Sequence, residues 1–170
     1  MFLNKERRDD IQDIIDGLLF RTGLEFPKHS IMDMCDSLGV QYTLGKLKPN
    51  ESGVVFKDEK GILIVVNEND PPVRQHFTLA HELGHIVLGH VTNSGQPILR
   101  DTNFIYTENT PERQQESEAN YFAAVLLVPI DKLEWAMEKT RGDIGLVAKY
   151  FGVSTAVISN RLREQRTEVC

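Results

Sequence analysis

The sequence has little cysteine and no long apolar run, and these two shortages exclude several classes of protein. Cys35 and Cys170 are its only cysteines, and two such residues make neither a disulfide framework nor a CxxC metal knuckle. The longest apolar stretch, residues 119–130, is interrupted by Asn120 and Pro129 and is too short to span a bilayer. The N-terminal segment lacks an uninterrupted apolar core and a small-residue cleavage site, so no signal peptide is expected. We therefore expect a cytoplasmic protein with reduced thiols and no membrane contact.

The chain also lacks an excess of positive charge. Its net charge is −6, with 26% charged and 41% hydrophobic residues, which are ordinary values for a globular protein. The acidic balance gives no general attraction to nucleic acid or to an anionic membrane. With 170 residues and no internal repeat, low-complexity tract or linker, the sequence predicts one domain over residues 1–170. A chain of this length buries enough surface to fold without disulfides or structural metals.

Hydrophobic spacing predicts helices at both ends of the chain and a few strands between them. Alternation over residues 40–44 and two apolar runs at 53–56 and 62–66, which flank a turn, predict three short antiparallel strands. Residues 89–109 have no periodicity and are predicted as a long loop. Helical spacing and start or stop residues predict a first helix that ends at Gly23 and three further helices over residues 27–38, 70–88 and 110–128. They also predict a helix that begins at Asp131 and a pair of helices within residues 143–166.

The pattern His81-Glu82-Leu-Gly-His85 lies within the helix predicted over residues 70–88. Two histidines four residues apart lie on one face of a helix, so both can reach one zinc ion. Glu82 lies about 100° round the helix from His81, where it can act as the base toward a water molecule without being a ligand. The alternative is a surface helix with chance histidines. Apolar residues nearly all round this helix disfavour that alternative.

Zinc peptidases use a third protein ligand and leave the fourth position open. His90 is one residue out of phase with the extended HExxHxxGxxH motif and is not expected to be a ligand; His29 and His76 are expected to be ordinary polar residues. Glu116 is the better candidate, because it shares a helical stripe with Asn120. Asn120 is placed to orient a ligand histidine by a hydrogen bond. The alternative is a core helix with an acidic first turn.

Two stretches together resemble one known family. Residues 74–85, RQHFTLAHELGH, are followed at residues 116–129 by a spaced pattern of Glu, Ala-Asn, Phe-Ala, Leu-Leu and Pro. These motifs resemble the ImmA/IrrE family of metallo-endopeptidases over roughly residues 20–165, with Val128 where methionine is common. The resemblance implies a zincin-like catalytic domain. We expect an α+β fold, mainly helical, with a small antiparallel sheet beside the HExxH helix.

The resemblance also implies roles for individual residues. His81 and His85 match the family's histidine ligands, Glu116 its third ligand and Glu82 its catalytic glutamate, with Zn²⁺ as the expected metal and Mn²⁺ as the second choice. Such proteins cleave helix-turn-helix repressors of mobile elements, or a repressor of the DNA-damage response. The chain is similar to the short, stand-alone members, so a zinc endopeptidase acting on a phage or mobile-element repressor is expected.

The C-terminal segment, residues 142–166, resembles a helix-turn-helix subregion. Arg161, Arg163 and Arg166 could contact phosphates, or the pair could simply pack on the catalytic core. The family carries a similar segment within its catalytic domain, and the acidic net charge disfavours DNA binding. Two alternatives to the peptidase therefore remain, a non-proteolytic metal-containing regulator that binds a repressor and a DNA-binding protein.

Tyr106 and Arg100, both in the predicted long loop, are the two candidates for the group that would stabilise an oxyanion. An extended substrate segment could add to an edge of the predicted sheet, as a strand does in β-augmentation.

Overall fold

The computed structural model describes residues 3–91, 98–101 and 110–168. Within these ranges the chain forms seven helices and one sheet of four strands, so the predicted α+β class with mainly helical content is confirmed. None of the helices in the described part is both long enough and apolar enough to cross a membrane. The elements in chain order are α1 (Lys5–Thr22), α2 (Ile31–Ser37), β1 (Val40–Gly45), β2 (Glu51–Asp58), β3 (Gly61–Asn67), α3 (Pro72–Val87), β4 (Ile98–Asp101), α4 (Pro111–Leu127), α5 (Ile130–Lys139), α6 (Ile144–Phe151) and α7 (Thr155–Glu168).

The first two helices begin at side-chain caps. Asn4 accepts a hydrogen bond from the backbone of the first turn of α1, which ends at Gly23 as predicted. The second helix begins at Ile31 rather than at residue 27. Ser30 and Asp33 form a reciprocal capping box there, which satisfies two of the backbone N–H groups that a helix start leaves open. The prediction placed this start too early because it followed Pro27 instead of that box.

The sheet is mixed, with strand order β1-β3-β2-β4. The predicted hairpin of β2 and β3 is present, and β4 adds antiparallel to the other side of β2. The expectation of a wholly antiparallel sheet is wrong for β1, which pairs parallel with β3 from Val40 opposite Ile62. β3 lies between β1 and β2, so the apolar run of β3 gains a hydrogen-bonded partner on each side. Hydrophobic alternation along one strand encodes which face is buried but not which strand lies beside it.

Helices α3 and α4 pack closely at Gly84. A Cβ atom built there would lie 2.9 Å from Phe122 Cδ1 and 3.3 Å from the carbonyl oxygen of Ala119. Glycine costs about 1 kcal/mol in a helix interior relative to alanine, and here that cost is offset by the approach of a neighbouring helix. This contact brings the middle of α4 alongside the HExxH turns of α3.

The C-terminal helix pair packs on the rest of the protein. Val147, Phe151 and Ile158 are buried, and His76 of α3 donates its Nδ1–H to the carbonyl of Gly152, 2.9 Å away, in the turn between α6 and α7. Arg161 is 6% exposed and donates from Nε to the carbonyl of Val128 at 3.2 Å. The sequence left two roles open for this segment, phosphate contact and packing on the catalytic core. Arg161 packs on the core, and its burial does not fit a phosphate contact.

Candidate metal centre

The HExxH turns of α3 are buried. His81 is 4% exposed, and Glu82 and His85 are 0% exposed. Leu79, Leu83 and other apolar side chains of the same helix are buried as well, as the apolar sequence around the motif predicts. Because buried polar side chains need partners, the positions of the two imidazole rings are set by the groups they contact.

The two histidines and Glu116 converge on one point. His81 Nε2 lies 3.0 Å from His85 Nε2. The carboxylate of Glu116, in the second turn of α4, lies 3.2 Å from His81 Nε2 and 3.3 Å from His85 Nε2. Among the described residues these three form a cluster of the kind that can hold a metal ion, with ligand atoms within 4.8 Å of one another.

Asn120 sets the orientation of the first ring. Its Oδ1 lies 3.0 Å from His81 Nδ1, and because an amide oxygen only accepts, the histidine nitrogen carries the proton and donates. The Nε2 atom of a neutral His81 then has a lone pair, and that lone pair faces Glu116. Asn120 therefore occupies the place that the sequence assigns to it, one turn after Glu116 on α4.

The electrostatics of the cluster favour an ionised carboxylate. Burial acts to raise the pKa of Glu116, but hydrogen bonds and charge interactions with His81 and His85 outweigh it and hold the pKa well below its usual range. The partner of the Glu116 carboxylate is thus a positive charge at the Nε2 atoms. Protons on the imidazolium forms of His81 and His85 supply that charge, and a metal ion bound by the neutral rings would replace those protons. Tetrahedral zinc bonded at about 2.0–2.1 Å separates its ligand atoms by about 3.3 Å, and the observed separations of 3.0–3.3 Å fit that spacing.

The profile of a known family matches residues 35–163, under the description "Peptidase_M78: IrrE N-terminal-like domain". The chain belongs to this family. The family expected from the motifs at residues 74–85 and 116–129 is thereby confirmed. The metal implied by a metallopeptidase family agrees with the His-His-Glu cluster on α3 and α4.

The chain is similar to two known proteins. It is 31% identical over 111 residues to the radiation response metalloprotease IrrE of Deinococcus radiodurans, and this alignment covers 64% of this chain and 33% of that protein. A transcriptional regulator of Mycobacterium tuberculosis has a similar fold, with a TM-score of 0.63 and 19% identity over 92% of this chain and 50% of that chain. The chain thus spans about a third of the first relative and half of the second.

Glu82 is not among the three residues of the cluster. Its neighbour in sequence, His81, points into the cluster, while the Glu82 side chain lies between α3 and β2 against Gly53. The role of Glu82 as a base that is not a ligand stays a prediction. The sequence analysis missed Gly53. A glycine inside a strand is the available signal, since it often marks the close approach of another group.

The other two glutamates of α4 are not in the cluster. Glu112 is exposed in the first turn of α4, and Glu118 is buried. His90 lies outside the three-residue cluster, but its ring contacts His85, a relationship that the sequence analysis also missed. Arg100 lies in β4, where its backbone pairs with that of Gly53. The other oxyanion guess, Tyr106, lies outside the described residues.

Proposed function

We propose that this chain is a zinc-dependent endopeptidase that cleaves a helix-turn-helix transcriptional repressor. The observation that carries the proposal is the convergence of His81, His85 and Glu116, with the buried Glu82 following His81 on the same helix. Family membership supports peptidase chemistry, and a curated relative is itself a metalloprotease. The repressor as substrate rests on the ImmA/IrrE resemblance of the two motifs.

Three residues would hold the metal. His81 and His85 would bind through Nε2 and Glu116 through its carboxylate, a donor set that suits zinc first and manganese second. A zinc ion held there supplies Lewis acidity, which activates water and polarises the scissile carbonyl. Asn120 keeps the proton of His81 on Nδ1, so that Nε2 remains available.

Glu82 would move the proton. Its carboxylate accepts a proton from the attacking water as the water oxygen bonds to the carbonyl carbon. As the carbon–nitrogen bond of the peptide breaks, Glu82 returns that proton to the leaving amine nitrogen. Its full burial excludes bulk water from the carboxylate before substrate enters, and a dry site strengthens the interactions of charges that develop there.

The substrate would bind as an extended segment. Strand β2 packs on α3 and has a partner on each side, β3 and β4. Within the described part of the chain, the outer edges of the sheet are therefore β1 and β4. An incoming strand would pair with one of these edges, which supplies backbone hydrogen bonds without requiring one particular sequence.

The decisive experiment compares cleavage of a purified helix-turn-helix repressor by the wild type and by Glu82→Gln. A neighbouring gene that encodes such a repressor would supply the substrate for it. The variant keeps the shape of the side chain and removes the base, so we expect it to retain metal and lose cleavage by more than the roughly 10²–10⁴-fold of a lone acid–base catalyst. Glu112→Gln, which changes an exposed carboxylate in the first turn of α4, is the matched control.

Other results would support a different function. Near-normal turnover by Glu82→Gln would mean that another group is the base. Tight binding of the repressor without cleavage by the metal-loaded wild type would favour a non-proteolytic regulator. A salt-dependent mobility shift of duplex DNA would favour a DNA-binding protein.

A further inference from the structure

The end of α3 turns the chain back onto the helix. Gly89 adopts a left-handed conformation, with φ of 76°. The backbone N–H of Gly89 donates to the carbonyl of Ile86 at 3.2 Å, and that of His90 donates to the carbonyl of His85 at 2.9 Å. These are the two hydrogen bonds of a Schellman motif, in which the residue after the glycine often packs on the residue five positions earlier. In this chain that pair consists of two imidazole rings.

The ring of His90 joins His85 to Glu118. His90 Nδ1 lies 2.9 Å from His85 Nδ1, and His90 Nε2 lies 3.1 Å from a carboxylate oxygen of Glu118. The side chains of His90 and Glu118 are 6% and 5% exposed. Because a carboxylate accepts, His90 Nε2 donates to Glu118, and the Nδ1 of a neutral His90 can then accept the Nδ1–H of His85.

Glu118 is in turn held by the N-terminal helix. Arg7 of α1 donates to the same oxygen of Glu118 at 2.7 Å, and Gln114 donates to the other oxygen at 2.9 Å. Arg7 lies outside residues 35–163, the part of the chain that matches the family profile. Hence a segment beyond the family match is connected to the candidate metal centre through two buried side chains.

We propose that His90, Glu118 and Arg7 are positioning residues that fix the ring of His85 for metal binding and couple the metal centre to the docking of α1. This inference rests on the proposed function, because it takes His85 as a metal ligand. None of the three residues belongs to the His-His-Glu cluster. They act through the hydrogen bond to His85 Nδ1, which holds the opposite nitrogen, Nε2, toward the cluster.

The chemistry of metal sites supports this assignment. A histidine ligand usually donates its second N–H to a carboxylate, carbonyl or water, which fixes the tautomer and the ring orientation. His81 has Asn120 in that role, and His85 has His90 backed by Glu118. A role limited to ending α3 would need only the backbone bonds of the turn. It would not explain a buried imidazole placed between a second imidazole and a carboxylate.

The test measures zinc affinity in competition with a chelator, and the absorption spectrum of the Co²⁺-loaded protein, for the full chain. His90→Ala and Glu118→Gln should raise the dissociation constant for zinc about 10–100-fold, as is typical when a partner of a ligand is lost. The Co²⁺ bands should shift, because the orientation of His85 changes. Arg7→Gln should weaken zinc binding less, and Arg7→Lys, which keeps the charge, should restore part of the loss.

The matched control is His76→Ala, which removes another imidazole of α3 with a hydrogen bond to Gly152. It should lower the melting temperature of the metal-free protein and leave zinc affinity and the Co²⁺ spectrum unchanged. Since Glu118→Gln preserves side-chain shape, it tests the inference even if His90→Ala folds poorly.

Two results would overturn the positioning role alone. One is unchanged zinc affinity and Co²⁺ spectrum in Glu118→Gln and in His90→Ala where that variant folds, and the other is an equal loss in His76→Ala. A wild-type protein that binds no divalent ion at all would instead overturn the metal centre of the proposed function, and the positioning role with it.

Discussion

Gly53 of β2 leaves the space that the carboxylate of Glu82 occupies. A Cβ atom at position 53 would lie 2.8 Å from Glu82 Oε1 and 2.9 Å from Glu82 Cγ, closer than real Cβ atoms approach other atoms. The same atom would lie 2.7 Å from the methyl group of Thr78, one turn earlier on α3. The packing of β2 on α3 thereby determines where the Glu82 side chain lies.

The first prediction follows from this contact. Gly53→Ala should displace Glu82 and reduce peptide hydrolysis, since a misplacement of about 1 Å can cost on the order of 10²-fold in rate. Zinc affinity should be retained, because Glu82 is outside the ligand cluster. Hydrolysis and zinc titration are measured on the same preparation.

Gly45→Ala is the control for Gly53→Ala. Its new Cβ atom would lie 2.8 Å from Val65 Cγ1, a similarly close contact between two strands that involves none of the cluster residues. We expect a lower melting temperature for this variant without a specific loss of hydrolysis. Equal activity of Gly53→Ala and the wild type would show that Glu82 has room to move.

A second prediction concerns the third ligand. Glu116→Ala should weaken zinc binding by far more than the roughly 10–100-fold typical of a residue that only contacts a ligand. Glu112→Ala should bind zinc like the wild type, because that carboxylate is exposed at the start of the same helix. Titration against a competing chelator measures both. Wild-type affinity in Glu116→Ala would exclude it as a ligand.

A third prediction separates the two arginines of α7. Arg161→Ala removes a buried hydrogen bond to the carbonyl of Val128 and should lower the free energy of unfolding by about 1–3 kcal/mol. Arg163 is exposed, so Arg163→Ala should change that free energy by no more than about 0.5 kcal/mol. Urea denaturation measures both values. Loss of a specific DNA complex in Arg163→Ala would revive DNA binding by this helix.

The fourth prediction concerns Cys35, whose thiol is fully buried. Burial, with a smaller effect from the charge of Asp36, raises the pKa of the thiol from 9.0 to about 12. At pH 8 the folded protein should therefore contain thiolate at a level on the order of 10³-fold lower than an exposed cysteine does. In the Cys170→Ser variant, alkylation of Cys35 should be slow in buffer and fast in urea.

The same shift has a consequence for stability. Above its ordinary pKa of 9.0 the unfolded chain loses the Cys35 proton while the folded chain keeps it up to about 12, so this thiol lowers the free energy of unfolding as the pH rises through that window. Cys35→Ala should remove this part of the alkaline destabilisation. Rapid alkylation of the native protein at pH 8 would contradict both expectations.

The elements that carry the candidate site were predictable because their signals are local. Pro71 and Pro111 mark the starts of α3 and α4 to within a residue or two. Apolar spacing then sets the phase of each helix, which is enough to place Glu116 and Asn120 on one stripe. The helical phase therefore anticipated which carboxylate of α4 would face the histidines.

The relationships that the sequence did not reveal depend on distant partners. β1 pairs with β3 and not with β2, its neighbour in the chain, because β3 lies between them in the sheet. The pattern along β1 alone does not carry that information. The contact of His90 with Glu118 joins residues 28 apart through the turn at Gly89. A helix-ending glycine followed by histidine was visible in the sequence, but its partner on α4 was not.

The close packing of Gly84 against Phe122 has a consequence for the spacing of the candidate ligands. The candidate ligands are carried by two helices that touch, so their spacing is set by that contact rather than by the length of the connection between α3 and α4. Any substitution that adds bulk at Gly84 would therefore push the two helices apart and change the distances between Glu116 and the two histidines.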